Sequence, residues 1–331
     1  MLVPLDCPQS FGAKAGSLGQ LLQAGFSVPR GYIIPYEVMF TALEPCYGKS
    51  WFYRLTDGNC TLYRFNKLAS AFEGLVLPQI VQLPLEEALS NVGQPWIARS
   101  SADCEDSRLT SGAGLFRSIQ GTGDAHAVWR AVCSCWAEAF APGVFLAIGK
   151  FPKRLDLIFQ RYIRFTKSGV CLLDRQSSVN ESFDVEVVRG GCEPLTAGSA
   201  PAERLKLKRQ EPHKVSSEIL TIAEIDRLRN VLSRISDWVG ESSEIEWGIH
   251  QDEIVITQVR PVIPGKPPAR HFVENQWIDG DDIGACTTAY LGQCESSLIR
   301  LVNKKFVARR ALKMAGIPVG QCGFLQFGSN D

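Results

Sequence analysis

The 331-residue sequence predicts an α+β fold, with antiparallel strands and helices in separate runs. Three observations carry this. Ser243–Pro261 holds two short β-branched, apolar runs around the polar His250-Gln251-Asp252, which reads as a hairpin with a three-residue loop. Thr221 and Glu224 have capping-box spacing ahead of Ile225, Leu228, Leu232, Ile235 and Trp238, with Gly240 as the stop. Leu155–Ile163 and Ser168–Leu173 read as two strands joined by a short polar turn.

The hairpin is the most informative stretch. If Ile249 faces Glu253, then Glu246, Ile256, Gln258 and Arg260 point to one side. Ile245, Trp247, Ile249, Val255 and Val259 point to the other, as core. A carboxylate, an amide and a guanidinium on one face can bind a metal and an anion together; the alternative is a solvated face with a surface ion pair. A four-residue loop reverses the parity and undoes the argument.

In chain order, Ser17 is the expected cap of a short helix with Leu18, Leu21 and Leu22 on its apolar side and Gly25 past its end. Lys14 then stands in a small-residue loop before that helix, where a cation beside backbone N–H groups suits phosphate. Tyr32–Ile34 reads as a strand after Pro29. Tyr36–Leu43 and Leu68–Leu75 have helical spacing, and Leu77–Pro84 reads as a connection. A short strand ends in Arg99, followed by Ser100 and Ser101. The small-residue loop Thr110–Ser118, with Gly114, allows close approach of backbone to a ligand. Asp124 caps a helix to Phe140, with Val128, Val132 and Trp136 as a core stripe. Gly190–Gly198 is a second Gly-rich loop before the basic strand Leu205–Arg209.

Composition narrows the function classes. Lys+Arg and Asp+Glu both number 35, so no net field favours nucleic acid or an anionic membrane. No apolar run has membrane-spanning length, and no secretory signal is visible. The 11 cysteines lack CxxC spacing and read as reduced, small core residues, so a cytoplasmic protein is expected. Residues 1–263 are expected to form one nucleotide-binding unit and 264–331 a linker with a helical extension, Ser296–Ala315.

Five blocks recur in order: Gly-Ala-Lys14 with Val28-Pro-Arg-Gly; Arg99-Ser-Ser-Ala with Glu105-Asp106; Ala113-Gly114; Gln160-Arg with Ser168-Gly-Val; and Ile245-Glu-Trp with Gln258-Val-Arg-Pro-Val262. In this order the chain resembles the N-terminal ATP-binding domain of the pyruvate phosphate dikinase, phosphoenolpyruvate synthase and rifampicin phosphotransferase family. The resemblance implies an ATP-grasp fold, two subdomains with ATP between antiparallel sheets. It implies that Lys14 and Arg99 contact the ATP phosphates and that Gly114 and Ser118 belong to a phosphate-covering loop. By the same resemblance Gln160 lies near adenine and ribose, Glu246 and Gln258 hold Mg²⁺, and Arg260 steadies the phosphates. Lys14, Arg99 and Arg260 are then the catalytic cations of an ATP-dependent phosphotransferase.

The sequence departs from the family pattern at Leu115 and Arg117, where an amide and an acid are usual. It departs again at Leu173-Asp-Arg-Gln, in place of Thr-x-Asp-Pro, and at Cys192, in place of a glycine. None of the four histidines, His126, His213, His250 and His271, has the family's phosphohistidine context. The expected partner is therefore a separate phosphohistidine and substrate-binding protein, with an unidentified small-molecule acceptor. The alternatives are a direct ATP-grasp kinase or ligase, and a nucleotide-binding domain without catalysis.

Overall fold

The computed structural model describes residues 2–7, 11–56, 62–103, 116–141, 144–145, 151–174, 182–192, 195, 202–210 and 215–262. Gly114, Leu115, His213, His271, most of the second Gly-rich loop, and the expected linker and C-terminal helix lie outside them. No helix among the described residues is long and apolar enough to cross a membrane.

Among the described residues ten strands form two five-stranded antiparallel sheets. The first has the order β1 (Val3–Pro4), β2 (Gly31–Ile34), β5 (Leu155–Arg161), β3 (Trp96–Ala102), β4 (Ser118–Gly121). The second has the order β10 (Glu253–Pro261), β9 (Ser243–His250), β6 (Lys167–Asp174), β7 (Ser182–Arg189), β8 (Glu203–Lys208). The strands expected at 155–163 and 168–173 are both present, but they do not pair as a hairpin. β5 lies between β2 and β3, whereas β6 lies between β9 and β7, so their polar connection crosses from one sheet to the other.

Among the described residues these helices accompany the sheets: α1 (Ala13–Gln23), α2 (Tyr36–Tyr47), α3 (Lys49–Thr56), α4 (Leu62–Glu73), α5 (Gln79–Val92), α6 (Ala125–Ala139) and α7 (Ile222–Val239). The stretch read as a connection is helical from Gln79, because Pro78 is the N-cap residue and α5 continues through Pro84. Periodicity lost to two prolines and two exposed apolar residues, Ile80 and Leu83, hid this helix.

Two cores follow from the alternation of the strands. On one face of the first sheet, Trp96, Ala98, Leu155, Leu157 and Phe159 pack with α2, α4, α5 and α6, including the expected stripe Val128, Val132 and Trp136. The other face contributes Ile33 and Ile158 to a second core with Ala15, Leu18 and Leu21 of α1, the inner face of the second sheet, and Leu228, Leu232 and Ile235 of α7. Helix α1 thus lies between the first sheet and the edge strand β10 of the second.

The helix ends show what fixes this arrangement. Asp124 Oδ1 accepts from the Ala127 N–H at 2.9 Å, and Thr221 and Glu224 form the expected capping box. Gly25, at φ 78°, ends α1 with Gly25 N–H to Leu22 O and Phe26 N–H to Leu21 O, a Schellman pattern. The start of α1 differs from the expectation. Gly12, not Ser17, is its N-cap residue and Lys14 is inside its first turn. Neither Gly12 nor Pro35, the N-cap residue of α2, has a side chain that can cap.

Asp156 supplies both caps from β5. Its Oδ2 accepts from the Gly12 N–H at 2.8 Å and its Oδ1 from the Tyr36 N–H at 2.9 Å, while Arg154 Nε pairs with Oδ2 at 2.7 Å. Asp156 is fully buried. Beside it, Ser101 Oγ accepts from the Ala15 N–H at 2.9 Å. Gly12 has no substitute here, since a Cβ would stand 2.0 Å from the Ser101 carbonyl oxygen.

Asp156→Asn keeps the size but turns an amide donor toward one of the two backbone N–H groups and loses the Arg154 pairing. The expected cost is about 3 kcal/mol, read as a lowered urea midpoint. At the start of α7, burial alone would raise the Glu224 carboxyl. The Lys167 ammonium at 2.6 Å and the Thr221 donors outweigh burial and hold it below its ordinary value of 4.5. A depressed carboxyl contributes stability above its unfolded value and loses it as pH falls through the lower folded one. Thermal melts should therefore show an acid limb starting near pH 4.5 that is shallower in Glu224→Ala.

Candidate functional site

The hairpin β9–β10 is tighter than its sequence suggests. His250 pairs with Glu253 and Ile249 with Ile254, so the loop has two residues, Gln251 and Asp252, at φ 49° and 63°. Left-handed backbone at both positions is the type I′ hairpin geometry, here without the Asn-Gly sequence that usually announces it. A two-residue loop reverses the expected parity, so Ile256 sits opposite Trp247 in the core and Val255 opposite Gly248 on the other face. A β-bulge at Thr257, between Ile256 and Gln258, then reverses it again. Beyond the bulge Gln258 is directly opposite Glu246 and Arg260 opposite Glu244. Glu246, Gln258 and Arg260 therefore share a face, as the sequence suggests, but two parity changes produce that result.

The bulge also brings in the first sheet. Arg99, in the middle of β3 rather than at its end, reaches the edge of β10. Its Nη1 donates to the Thr257 carbonyl at 3.0 Å and its Nη2 to Gln258 Oε1 at 3.2 Å. Two further contacts cover the same edge: Ser17 Oγ donates to the Val259 carbonyl at 3.0 Å, and the Ile256 N–H to the Ser27 carbonyl at 2.8 Å. An exposed edge strand is thereby closed by α1, the segment after it, and Arg99.

Arg260 Nη2 donates to Glu244 Oε1 at 2.7 Å, and Glu244 is 5% exposed. Glu244, Thr257 and Asp156 are the participants that motif reasoning did not single out. Glu244 was within reach, since it alternates with Glu246 on the same strand face. The others act through tertiary contacts that no local pattern encodes.

The remaining candidates divide. Lys14 lies in the first turn of α1, almost buried. The N–H groups of Gly12 and Ala15 at this helix end are taken by Asp156 and Ser101. Ser118 opens β4 directly opposite Arg99 and is exposed. Gln160 is 2% exposed; its Nε2 donates to the Pro29 carbonyl at 2.8 Å and its side chain packs over Gly31. Its side chain therefore fixes the entry to β2. His126 is exposed in the first turn of α6, and His250 ends β9 beside the turn. Among the described residues no group of three or more His, Cys, Asp or Glu side chains is placed to hold a metal.

Two antiparallel sheets, one carrying Arg99 to the edge of the other's carboxylate-bearing hairpin, form an α+β fold. Residues 8–172 match the AMP/ATP-binding domain of pyruvate phosphate dikinase, and the chain resembles the N-terminal ATP-binding domain of that family. A probable phosphoenolpyruvate synthase of Archaeoglobus fulgidus is 23% identical over 298 residues, covering 76% of this chain and 39% of that protein. One of Methanothermobacter thermautotrophicus is 23% identical over 300 residues, covering 76% of this chain and 43% of the relative. The chain thus spans about two fifths of the length of these curated relatives. Solved structures of distant likeness include Cdc123 from Schizosaccharomyces pombe, with TM-score 0.38, 12% identity, and 75% of this chain and 82% of that one covered. D-Alanine-D-alanine ligase from Helicobacter pylori has TM-score 0.34 and 13% identity, with 62% and 54% covered.

Arg99→Met removes a two-pronged contact between the sheets and leaves the Thr257 carbonyl without that donor. The expected loss is about 1–3 kcal/mol of unfolding free energy, measured by denaturant titration, with Arg99→Lys recovering only part because an ammonium cannot fork to both acceptors.

Proposed function

We propose that this chain is the ATP-binding part of a dikinase-like phosphotransferase. In this reading ATP with Mg²⁺ gives a phosphoryl or pyrophosphoryl group to a histidine on a partner domain or chain. The observation that carries it is the junction at the Thr257 bulge, where Arg99 of one sheet meets Gln258 of the other, beside Glu246 and Arg260. Phosphoryl transfer asks a protein mainly for positioned cations and little covalent chemistry, and this junction offers that.

Glu246 and Gln258 are the residues that would hold the metal. They are direct neighbours across β9 and β10, and a carboxylate with an amide oxygen suits a hard cation that keeps several waters. Gln258 Oε1 already accepts from Arg99, but an amide oxygen has a second lone pair. When bound, Mg²⁺ would neutralise charge on the phosphoryl oxygens. The chain's own contribution is orientation: Arg99 contacts Gln258, Arg260 follows on the same strand face with Glu244 fixing its aim, and in this reading Lys14 and Ser118 add contacts to the phosphates. Gly114 belongs to the covering loop in this proposal, and β5 with Gln160 lies on the nucleoside side. The acceptor histidine resides elsewhere, in keeping with relatives more than twice as long as the matched region.

ATP labelled separately at the β and γ phosphates, incubated with the chain and cell extract, tests this. Label on a second protein together with AMP is the expected result. ADP formed with a small substrate indicates a direct kinase or ligase, and bound ATP without any product a domain that only binds. Glu246→Gln should lower turnover by at least about tenfold. Unchanged nucleotide binding and turnover in that variant would show that the site is elsewhere.

A further inference from the structure

The second sheet has an apolar face in the second core and an opposite face that is mostly charged, with Arg204 on Glu186, Lys206 near Asp184 and Arg260 on Glu244. An apolar patch interrupts the charged face. Val170, directly opposite Glu246, clusters there with Val188 and Leu195, and Val255, opposite Gly248, is 3% exposed. Over this end of β9 lies the ring of Phe165. A Cβ added at Gly248 would stand 2.3, 2.4 and 2.7 Å from its Cγ, Cδ1 and Cδ2, so the ring rests on bare backbone that only glycine provides. Hydrogen bonds from the Thr166 N–H to the Ile249 carbonyl, 3.2 Å, and from the Gly190 N–H to the Thr166 carbonyl, 2.8 Å, hold the segment there. Phe165 is half-buried and belongs to neither large core.

Gly248 is two residues from Glu246 on the same face, about 6–7 Å along the strand. The face therefore has a charged end suited to a polyphosphate and, one step away, a flat apolar end suited to a planar ring. We infer that Phe165, seated on Gly248, is the residue on which the base of a bound nucleotide stacks, and that it sets the preference for large, planar bases. This inference rests on the proposed nucleotide site. A residue that only fills space over β9 would influence stability but would not separate the two ends of the ligand.

Calorimetric titration of the whole chain with Mg²⁺ and either ATP or inorganic tripolyphosphate makes that separation, with displacement of ATP reporting weak tripolyphosphate binding. Phe165→Ala should raise the Kd for ATP about tenfold or more and leave tripolyphosphate unchanged, while Phe165→Trp should keep ATP affinity. Gly248→Ala, which pushes the ring off the strand, should resemble Phe165→Ala; circular dichroism establishes that it folds. Equal loss of both ligands in Phe165→Ala, or ATP affinity unchanged or improved, overturns the inference while the nucleotide site stands. Failure of the unaltered chain to bind ATP overturns the nucleotide site itself, and the inference with it.

Discussion

One buried carboxylate decides where the rest of the molecule can be. Asp156 takes an N–H from the start of α1 and another from the start of α2, so two helices that lie on opposite faces of the first sheet are fixed to the same strand residue. Helix N-termini carry unsatisfied donors and partial positive charge, and a carboxylate answers both. Its burial raises the stakes, because an unfilled donor in that position costs far more than one in water. Once α1 is placed, its hydroxyl at Ser17 and the segment at Ser27 meet the edge of β10, and the second sheet is set against the first. The site at Thr257 is therefore downstream of a contact that has no part in chemistry.

The parts of the fold that could be read from the sequence are those whose signals are local. The capping box at Thr221, the Asp124 cap, the glycine after α1 and the stripe of α6 all involve residues within one or two turns of each other. Where the deciding partner is distant, reading fails in a consistent way. Ser17 looks like a cap because Gly12 does not, yet the cap comes from Asp156, far along the chain. The strands on either side of Tyr162–Thr166 are joined by a short polar turn, as the sequence suggests, yet each finds its neighbours in a different sheet.

The site itself was partly legible. Alternation alone suggested that Glu246, Gln258 and Arg260 share a face, and they do, but for a different reason: a two-residue turn and a bulge cancel. The order of short blocks along the chain pointed to nucleotide binding more firmly than any one of them, and the match over residues 8–172 agrees with that order. What no pattern conveyed is the link between blocks. Arg99 and Thr257 are 158 positions apart, and their contact joins the two sheets at the point where the charged side chains gather.

The bulge at Thr257 gives the hairpin an uneven tolerance to change. Its turn residues can be exchanged for others that accept left-handed backbone, and the core residues Ile254 and Ile256 for others of similar volume, without altering which side chains face outward. The number of residues is another matter. Adding or removing a single residue between His250 and Ile256 would shift the phase on which Gln258 and Arg260 depend and turn their polar ends toward Trp247 and Ile245. In this stretch the chain's length is the constrained quantity, so variation should come as substitutions, while insertions and deletions should arrive in pairs that cancel.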